Sequence, residues 1–429
     1  MTVSFWIETL GCPKNRVDSD KLAGRLGTSG LRPADNFKDA DLVIVNTCAF
    51  IEAARMESIE TILELSDQKK PNAKVVITGC MAERYSEELA SELPEVDLVA
   101  GFGQELLDPA WFEPISVPVK LSVNSNRPGS KYDFDLLNLS RPHVQTPWAY
   151  VKIAEGCNRA CGFCAIPSFR GKQQSRTIEA IVQEVESLDV KEAVLVAQDL
   201  ASYGSDLYGS KLLAELITAL KDKVDWLRLL YIYPSELNQG LIEAILSTGI
   251  AYFDLSLQHS SRPLLARMKR WGSGEKFLER IEYIRSLAPE AVFRSSFIIG
   301  YPGETEKDHD NLLRFINAAE LDWAGFFTFS NEVGTYANRL DEKVNRGLMM
   351  ERLAEVSELQ DQITAMKRSN KIGTEVLALV ETQGIARSYM EAPEIDGVLK
   401  VDPNLQVGSF VKVKVTGSEG PDLLCEVVR

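Results

Sequence analysis

Short apolar runs alternate with amphipathic stretches along most of this chain, and that alternation constrains its fold more than any other feature. In the first hundred residues the runs Val3–Thr9, Asp41–Asn46, Lys74–Gly79 and Val96–Ala100 predict strands. Helices are predicted to begin near Asn15, Ala49, Ala82 and Gly103. Strand then helix, repeated, predicts a parallel sheet covered on both faces, because each helix returns the chain to the end where the next strand starts. A second series follows, with strands predicted at Trp148–Ala154, Ala193–Ala197, Trp226–Tyr231, Ala251–Leu257, Val292–Ile299 and Trp323–Phe329. Its helices are predicted at Ile178–Leu188, Lys211–Leu220, Gln239–Ser247, Gly274–Ser286 and Glu306–Ala319. Such a series predicts a partial (βα)6 barrel, whose function sits at the carboxyl ends of its strands.

The remaining segments differ in character. Residues of about 115–147, with Pro114, Pro118, Pro128, Pro142 and Pro147 in or beside them, lack a period and read as a linker. Met349, Met350, Leu353, Val356, Ile363 and Met366 mark one stripe of a long helix, its methionines filling core, and Gly373 is placed to cap its end. The last stretch holds Val376–Val380, Val411–Val415 and Leu423–Val428 between glycines, the pattern of a small antiparallel β domain. The expected division is therefore 1–114, a linker at 115–147, 148–371 and 372–429.

Composition narrows the class. Of 429 residues 45% are apolar and 25% charged, which is ordinary for a globular protein, and the net charge of −15 argues against nucleic acid as the default partner. No basic-then-apolar leader opens the chain, and no apolar run approaches the ~18 residues of a membrane span. The expectation is a soluble cytoplasmic protein with no membrane partner. Its seven cysteines are an odd number, so they cannot all pair within the chain, and they are read as reduced and available to metal.

Three cysteines form the densest motif, Cys157-Asn-Arg-Ala-Cys161-Gly-Phe-Cys164, directly after a predicted strand. Three thiolates so close together can wrap one compact metal centre, with Gly156 and Gly162 freeing the backbone. Zinc is the main alternative, but a structural zinc site needs four ligands, no further Cys or His follows at zinc-finger spacing, and His143 lies upstream beyond a proline-bounded segment. Three ligands suit an iron–sulfur cluster with one iron left open. Cys12, Cys48 and Cys80 each fall just after a predicted strand. Loops at the carboxyl ends of parallel strands gather along one edge, so these three can converge although they lie far apart in sequence.

The Cys-x3-Cys-x2-Cys motif with Phe163 before its last cysteine resembles the radical S-adenosylmethionine superfamily. The resemblance implies that Cys157, Cys161 and Cys164 hold a four-iron four-sulfur cluster whose open iron chelates S-adenosylmethionine, and that its reductive cleavage yields a radical able to take hydrogen from an unactivated carbon. Phe163 lies where that family's backbone contacts adenine. Ile298-Ile-Gly-Tyr-Pro-Gly-Glu304 resembles its glycine-containing strand end near the adenine, with Gly300 and Glu304 as cofactor contacts; a plain turn on Pro302-Gly303 is the other reading. Gln198 and Asp199, ending the second barrel strand, are further candidates for the amino group or ribose, although Asp199 is equally placed to cap the next segment.

Gly11-Cys12-Pro-Lys-Asn15, Asn46-Thr-Cys48 and Gly79-Cys80-Met-Ala are similar to motifs of the methylthiotransferase family within that superfamily. This likeness covers essentially the whole chain and implies a second four-iron four-sulfur cluster on Cys12, Cys48 and Cys80, where the sulfur to be transferred sits, and a terminal TRAM β domain. The family has a branch acting on adenosine in tRNA and one acting on an aspartate of small-subunit ribosomal protein twelve. Trp148–Gly156, Ile166-Pro-Ser-Phe-Arg-Gly171 and Arg387–Gly397 resemble the ribosomal-protein branch. From Lys371 to Arg429 there are six Lys and Arg against nine Asp and Glu, a net of −3. A tRNA-binding module should be basic, whereas an acidic one better matches a basic ribosomal protein. The resemblance also implies an electron donor and a sulfur donor, neither identified, and no side chain is assigned as an acid or base. A non-catalytic iron–sulfur or zinc scaffold that binds ribosomes is the reading from another class.

Among weaker candidates, Ser256, Gln258 and His259 end the fourth barrel strand, His259 being as readily a packed histidine as a ligand. Tyr301 and Trp323 are read as core, Cys425 as a buried free thiol, and Lys412 and Lys414 as a solvated strand face.

Overall fold

A computed structural model describes residues 3–102 and 136–428 of the chain. The helix expected from Gly103 and most of the expected linker lie outside the described residues. The chain divides into two compact units. The first comprises Met1–His143 and Ala165–Lys172, and the second Val144–Cys164 and Gln173–Arg429.

In the first unit, β1 (Ser4–Thr9), β2 (Arg32–Pro33), β3 (Leu42–Thr47), β4 (Lys74–Gly79) and β5 (Leu98–Val99) form one sheet in the order β2-β1-β3-β4-β5, and every pairing is parallel. The helices are α1 (Pro13–Thr28), α2 (Glu52–Gln68) and α3 (Cys80–Glu92), and a short α4 (Ile166–Phe169) joins the same unit. Strand β3 is buried along its whole length, and its side chains alternate between two cores. Leu42 and Ile44 pack with Phe5, Leu22 and Leu26 on the α1 face. Val43 and Val45 pack with Ile62, Leu65, Met81 and Phe169 on the other. The expected parallel α/β domain is present; β2 was missed because two exposed residues carry no pattern, and β5 shrinks to two residues.

In the second unit the barrel strands are β6 (Trp148–Lys152), β9 (Glu192–Val196), β10 (Trp226–Leu229), β11 (Tyr252–Gln258), β12 (Val292–Ile299) and β13 (Trp323–Thr328), with a small antiparallel pair, β7 (Ala154–Glu155) and β8 (Gln174–Ser175), beside them. They form two parallel three-stranded sheets, β10-β9-β6 and β11-β12-β13, linked by a bridge between Ile232 and Leu255. That is the partial barrel, six strands in sequence order. Helices α5 (Ile178–Leu188), α6 (Ser205–Tyr208), α7 (Leu213–Leu220), α8 (Gln239–Leu246), α9 (Arg262–Arg267), α10 (Gly274–Leu287) and α11 (Glu306–Ala319) accompany it. Strand β10 stops two residues before the expected Tyr231. Tyr231 has φ +68°, its amide donates to Asp254 Oδ2 at 2.9 Å, and the chain leaves the sheet there.

The long helix α12 (Arg346–Ser369) buries Val356 and Ile363 of the expected stripe, but not its methionines Met350 and Met366. Arg352, Val356, Gln360, Ile363, Thr364 and Arg368 face inward, whereas Met350 and Met366 are exposed. Polar side chains occupy that stripe because they have partners: Gln360 donates to the Leu321 carbonyl at 2.9 Å, and Arg352 to Glu304 at 3.0 Å. The helix ends at Asn370, so Gly373 does not cap it. Gly373 instead donates its amide to Val415 and leads into the last domain.

That domain is a closed barrel, β14-β15-β16-β18-β17, from β14 (Glu375–Thr382), β15 (Ile385–Arg387), β16 (Leu399–Lys400), β17 (Phe410–Glu419) and β18 (Asp422–Val427). Its pairings are antiparallel except β16 with β18, which is parallel. The segment Arg387–Gly397 runs against the amino-terminal ends of the barrel strands. Glu192, fully buried at the start of β9, accepts from Arg228 Nε at 2.7 Å and Arg387 Nη2 at 2.6 Å. Arg228 also reaches the Tyr389 carbonyl at 2.9 Å. Tyr252 and Arg294 bond Asp396, Trp323 donates to Met390 O, and Tyr150 donates to Pro393 O. The motif that suggested the ribosomal-protein branch is thus a buried polar seam holding the terminal domain to the amino ends of the strands.

Candidate metal centres

The strand order of the first unit decides where its site lies. After β1 the chain passes to the α1 face, and after β3 it passes to the α2 face, so β1 and β3 flank the point where the winding reverses. Crevices at the carboxyl ends of parallel strands open at such a point. Cys12 is the N-cap of α1 there, Cys48 directly follows β3, and Cys80 opens α3 after β4. A paired set of amides fixes these loops together. Asn15 Nδ2 donates to the carbonyls of Leu10 and Thr47 at 2.9 and 3.0 Å, and Asn46 Nδ2 donates to Asn15 O and Ser19 Oγ at 2.9 Å. Gly79, at φ +91°, leaves room for this crossing, since a Cβ there would stand 2.3 Å from Asn46 Oδ1 and 2.6 Å from the Thr47 carbonyl. Gly79→Ala should therefore lower the stability of this unit by about 1–3 kcal/mol, read as an earlier thermal transition of the apo-protein; an unchanged transition counts against the crossing as drawn.

The three cysteines converge. A Cβ on Gly11 would lie 2.8 Å from Cys48 Sγ. Burial pushes the Cys48 thiol up to about 12, and Cys12 and Cys80 nearby push it the same way. Arg170, just after α4, donates to Cys80 Sγ from Nη2 at 3.0 Å and Nε at 3.3 Å.

In the second unit, Cys157, Cys161 and Cys164 occupy the loop after β7, each half-buried. Glu155 roots this loop. Its carboxylate accepts from the buried Lys152 at 2.6 Å, from Gln198 at 2.5 Å and from the Gly156 amide at 3.1 Å. Burial pushes the Cys157 thiol up to about 11; the Arg159 amide donating at 3.4 Å opposes this, while Asp199 and Cys161 add to it. Arg270 donates to Cys161 Sγ at 3.3 Å, and the guanidinium groups of Arg159 and Arg270 lie over the Tyr233 ring at 3.7 and 4.2 Å from its centre.

The other predicted positions lie around this loop. Asp199, nearly buried, gives Oδ2 to Arg159 at 2.6 Å and to Ser202, and its Oδ1 has no partner. Gln198 Oε1 is likewise buried and unpartnered. Gly300, at φ +80°, lies against α12, where a Cβ would run into Met349, and its amide donates to Glu304 Oε2 at 2.6 Å. Glu304 is fully engaged with Gly300 and Arg352, so it shapes the strand end. Phe163 packs at the edge of the barrel core. His259 is a packed histidine: burial pushes it down to about 3, and its Nδ1 accepts from the Ser261 amide, leaving the proton on Nε2. Tyr301 and Trp323 are core, Lys412 and Lys414 are exposed, and Cys425 is a buried thiol that burial pushes up to about 11.

Among the described residues, no three His, Cys, Asp or Glu side chains close into a cage for a single ion. Both triads are thiols alone, the donor set of iron–sulfur clusters. Beside the second triad, the free acceptors on Gln198 and Asp199 match the ammonium and hydroxyl donors of S-adenosylmethionine. Sequence reasoning gave no role to Asn15, Asn46, Arg159, Arg170 or Arg270. The one available signal was polarity out of place, as in Asn46 at the end of an apolar strand.

Comparison with known proteins agrees with this layout. Family models match at residues 4–101 (uncharacterized protein family UPF0004), 151–316 (radical SAM superfamily) and 372–428 (TRAM domain). A solved radical S-adenosylmethionine methyltransferase, TsrM from Kitasatospora setae, shares the fold at TM-score 0.53 and 14% identity, over 76% of this chain and 72% of that one. Radical SAM membership implies a four-iron four-sulfur cluster and S-adenosylmethionine. The ribosomal protein uS12 methylthiotransferase RimO of Saccharopolyspora erythraea is 41% identical over 98% of this chain and 94% of its own length. That of Aquifex aeolicus is 40% identical over 97% and 95%. Likeness of this extent, running through both triads and the terminal domain, means that the chain belongs to the ribosomal protein uS12 methylthiotransferase RimO family.

Proposed function

We propose that this protein adds a methylthio group to the β-carbon of an aspartate of ribosomal protein uS12, using two four-iron four-sulfur clusters. The observation that carries the two-cluster reading is the convergence of Cys12, Cys48 and Cys80 from three strand ends at the reversal point of their sheet. Cys157, Cys161 and Cys164 hold one cluster, and the early triad holds the other. When bound, the first cluster and S-adenosylmethionine together supply a carbon radical that removes hydrogen from an unactivated carbon.

The chain's own residues bind and orient. Glu155 fixes the root of the cysteine loop, and Arg270 donates to Cys161 sulfur. Gln198 and Asp199 would accept from the amino group and ribose of S-adenosylmethionine, and the backbones of Phe163 and Gly300 would contact its adenine. Glu304 acts through Gly300 by holding that strand end. The domain division expected from sequence, the electron and sulfur donors, and a cytoplasmic location belong to the same reading.

Charge supports the choice of substrate less than its raw sum suggests. Arg387, Glu381, Glu391 and Asp396 belong to the seam beneath the barrel, so three of the domain's nine acidic residues and one of its six basic ones are paired internally, and the rest carry a net of only −1. The choice of uS12 over tRNA follows the relatives instead. Incubating the reconstituted enzyme with uS12 and with tRNA side by side, and reading each by mass spectrometry, should give the methylthio increment on uS12 alone. Modification of tRNA alone would overturn the substrate, and zinc without labile sulfide would turn the reading to a non-catalytic scaffold.

A further inference from the structure

Arg170 belongs to a segment that the proposed chemistry does not use, yet its guanidinium is buried beside the early cysteines and heavily engaged there. Its side chain is almost wholly buried, as is that of Asp18, its partner at 3.2 Å. It donates to Asn15 Oδ1 at 2.7 Å, and so touches the amide pair that holds the cysteine loops in place. The ring of Phe102 lies 4.4 Å from the guanidinium carbon. Nε points at Cys80 sulfur, and so does Nη2, which shares its donors between that sulfur and Asn15. Burying a guanidinium is costly unless every donor is paired, so this group stays only where acid, amide and sulfur all accept from it.

We propose that Arg170 is a positioning residue for the cluster on Cys12, Cys48 and Cys80, and that its two donors to Cys80 sulfur set that cluster's reduction potential. This rests on the two-cluster reading. Donors to cluster sulfurs and nearby positive charge favour the more negative, reduced state, so removing them lowers the potential. Asp18 acts in the opposite sense, because its negative charge offsets the guanidinium.

The test uses the full chain carrying Cys157→Ala, Cys161→Ala and Cys164→Ala, which leaves only the early triad, reconstituted with iron and sulfide under anaerobic conditions. This parent should hold about four irons per chain; a parent without iron overturns the two-cluster reading itself, separately from the role of Arg170. Potentiometric titration followed by electron paramagnetic resonance then compares variants. Arg170→Gln should shift the reduction equilibrium at least tenfold toward the oxidised state, which is about 59 mV for one electron. Asp18→Asn should shift it the other way. Arg170→Lys keeps the charge but loses the two-donor fork, and should retain iron with a smaller downward shift. Unchanged potentials in iron-loaded Arg170→Gln and Arg170→Lys overturn the proposal. So does a folded chain in which neither variant takes up iron, since Arg170 would then serve assembly alone.

Discussion

Cys157→Ala should abolish cleavage of S-adenosylmethionine, while Cys12→Ala leaves cleavage in place and stops sulfur transfer. On the proposed two-cluster reading each triad would supply the three thiol ligands of one cluster, so losing one thiol would leave that cluster two protein ligands. The two losses should be separable because the triads stand on different scaffolds. Cys157 lies on the loop rooted by Glu155, and Cys12 caps α1 beside the Asn15 and Asn46 amides. Anaerobically reconstituted protein should carry about eight irons, falling to about four in either variant. The formation of 5′-deoxyadenosine and of methylthiolated uS12, measured on the same samples, checks the division. If Cys12→Ala loses both products while remaining folded, the roles are not divided as proposed.

The second large effect concerns stability rather than turnover. Glu192→Ala should cost about 3–5 kcal/mol, because it leaves the buried Arg228 guanidinium with backbone carbonyls but no carboxylate and leaves Arg387 to Glu381 alone. Burial by itself would raise the Glu192 carboxyl, but the two arginines outweigh it and hold the group below the usual carboxylate range. The ionised form therefore stabilises the fold at and above that range, and the contribution is lost as pH falls through the lowered value. Urea unfolding of the apo-protein, followed by tryptophan fluorescence, is a direct measurement, since Trp323 donates to the seam and Trp226 packs edge-to-face on Phe410. Wild type should lose stability on acidification more steeply than Glu192→Ala. Equal midpoints for the two proteins would remove the seam as a source of stability.

How far the sequence could be read depended on the range of the interaction. Strands β4 and β12 and helices α5 and α11 match expectation at both ends, because apolar period and local caps define them; Thr305, for example, forms a capping box with Asp308. The early triad was legible because each cysteine follows a strand, and parallel topology brings strand ends to one edge. The stripe of α12 was only partly legible: Val356 and Ile363 are buried as expected, but the inward face also carries Arg352, Gln360 and Arg368, whose partners are distant in sequence. Arg387–Gly397 resembled the ribosomal-protein branch, and the relatives agree; its part in the buried seam was not legible, because its partners lie on distant barrel strands. Arg170 was beyond reach, since nothing local says that the residues after Cys164 pack among the first hundred.

That detour has a consequence for how this architecture can be divided. A fragment ending at His143 would lack Phe169 from its core and would leave Asp18 facing no guanidinium. The amino-terminal domain is therefore not a cassette that recombination or cloning can move at a single junction. Exchanging it between relatives requires a matched exchange of residues 165–172, so the two stretches are bound to change together as the family diverges.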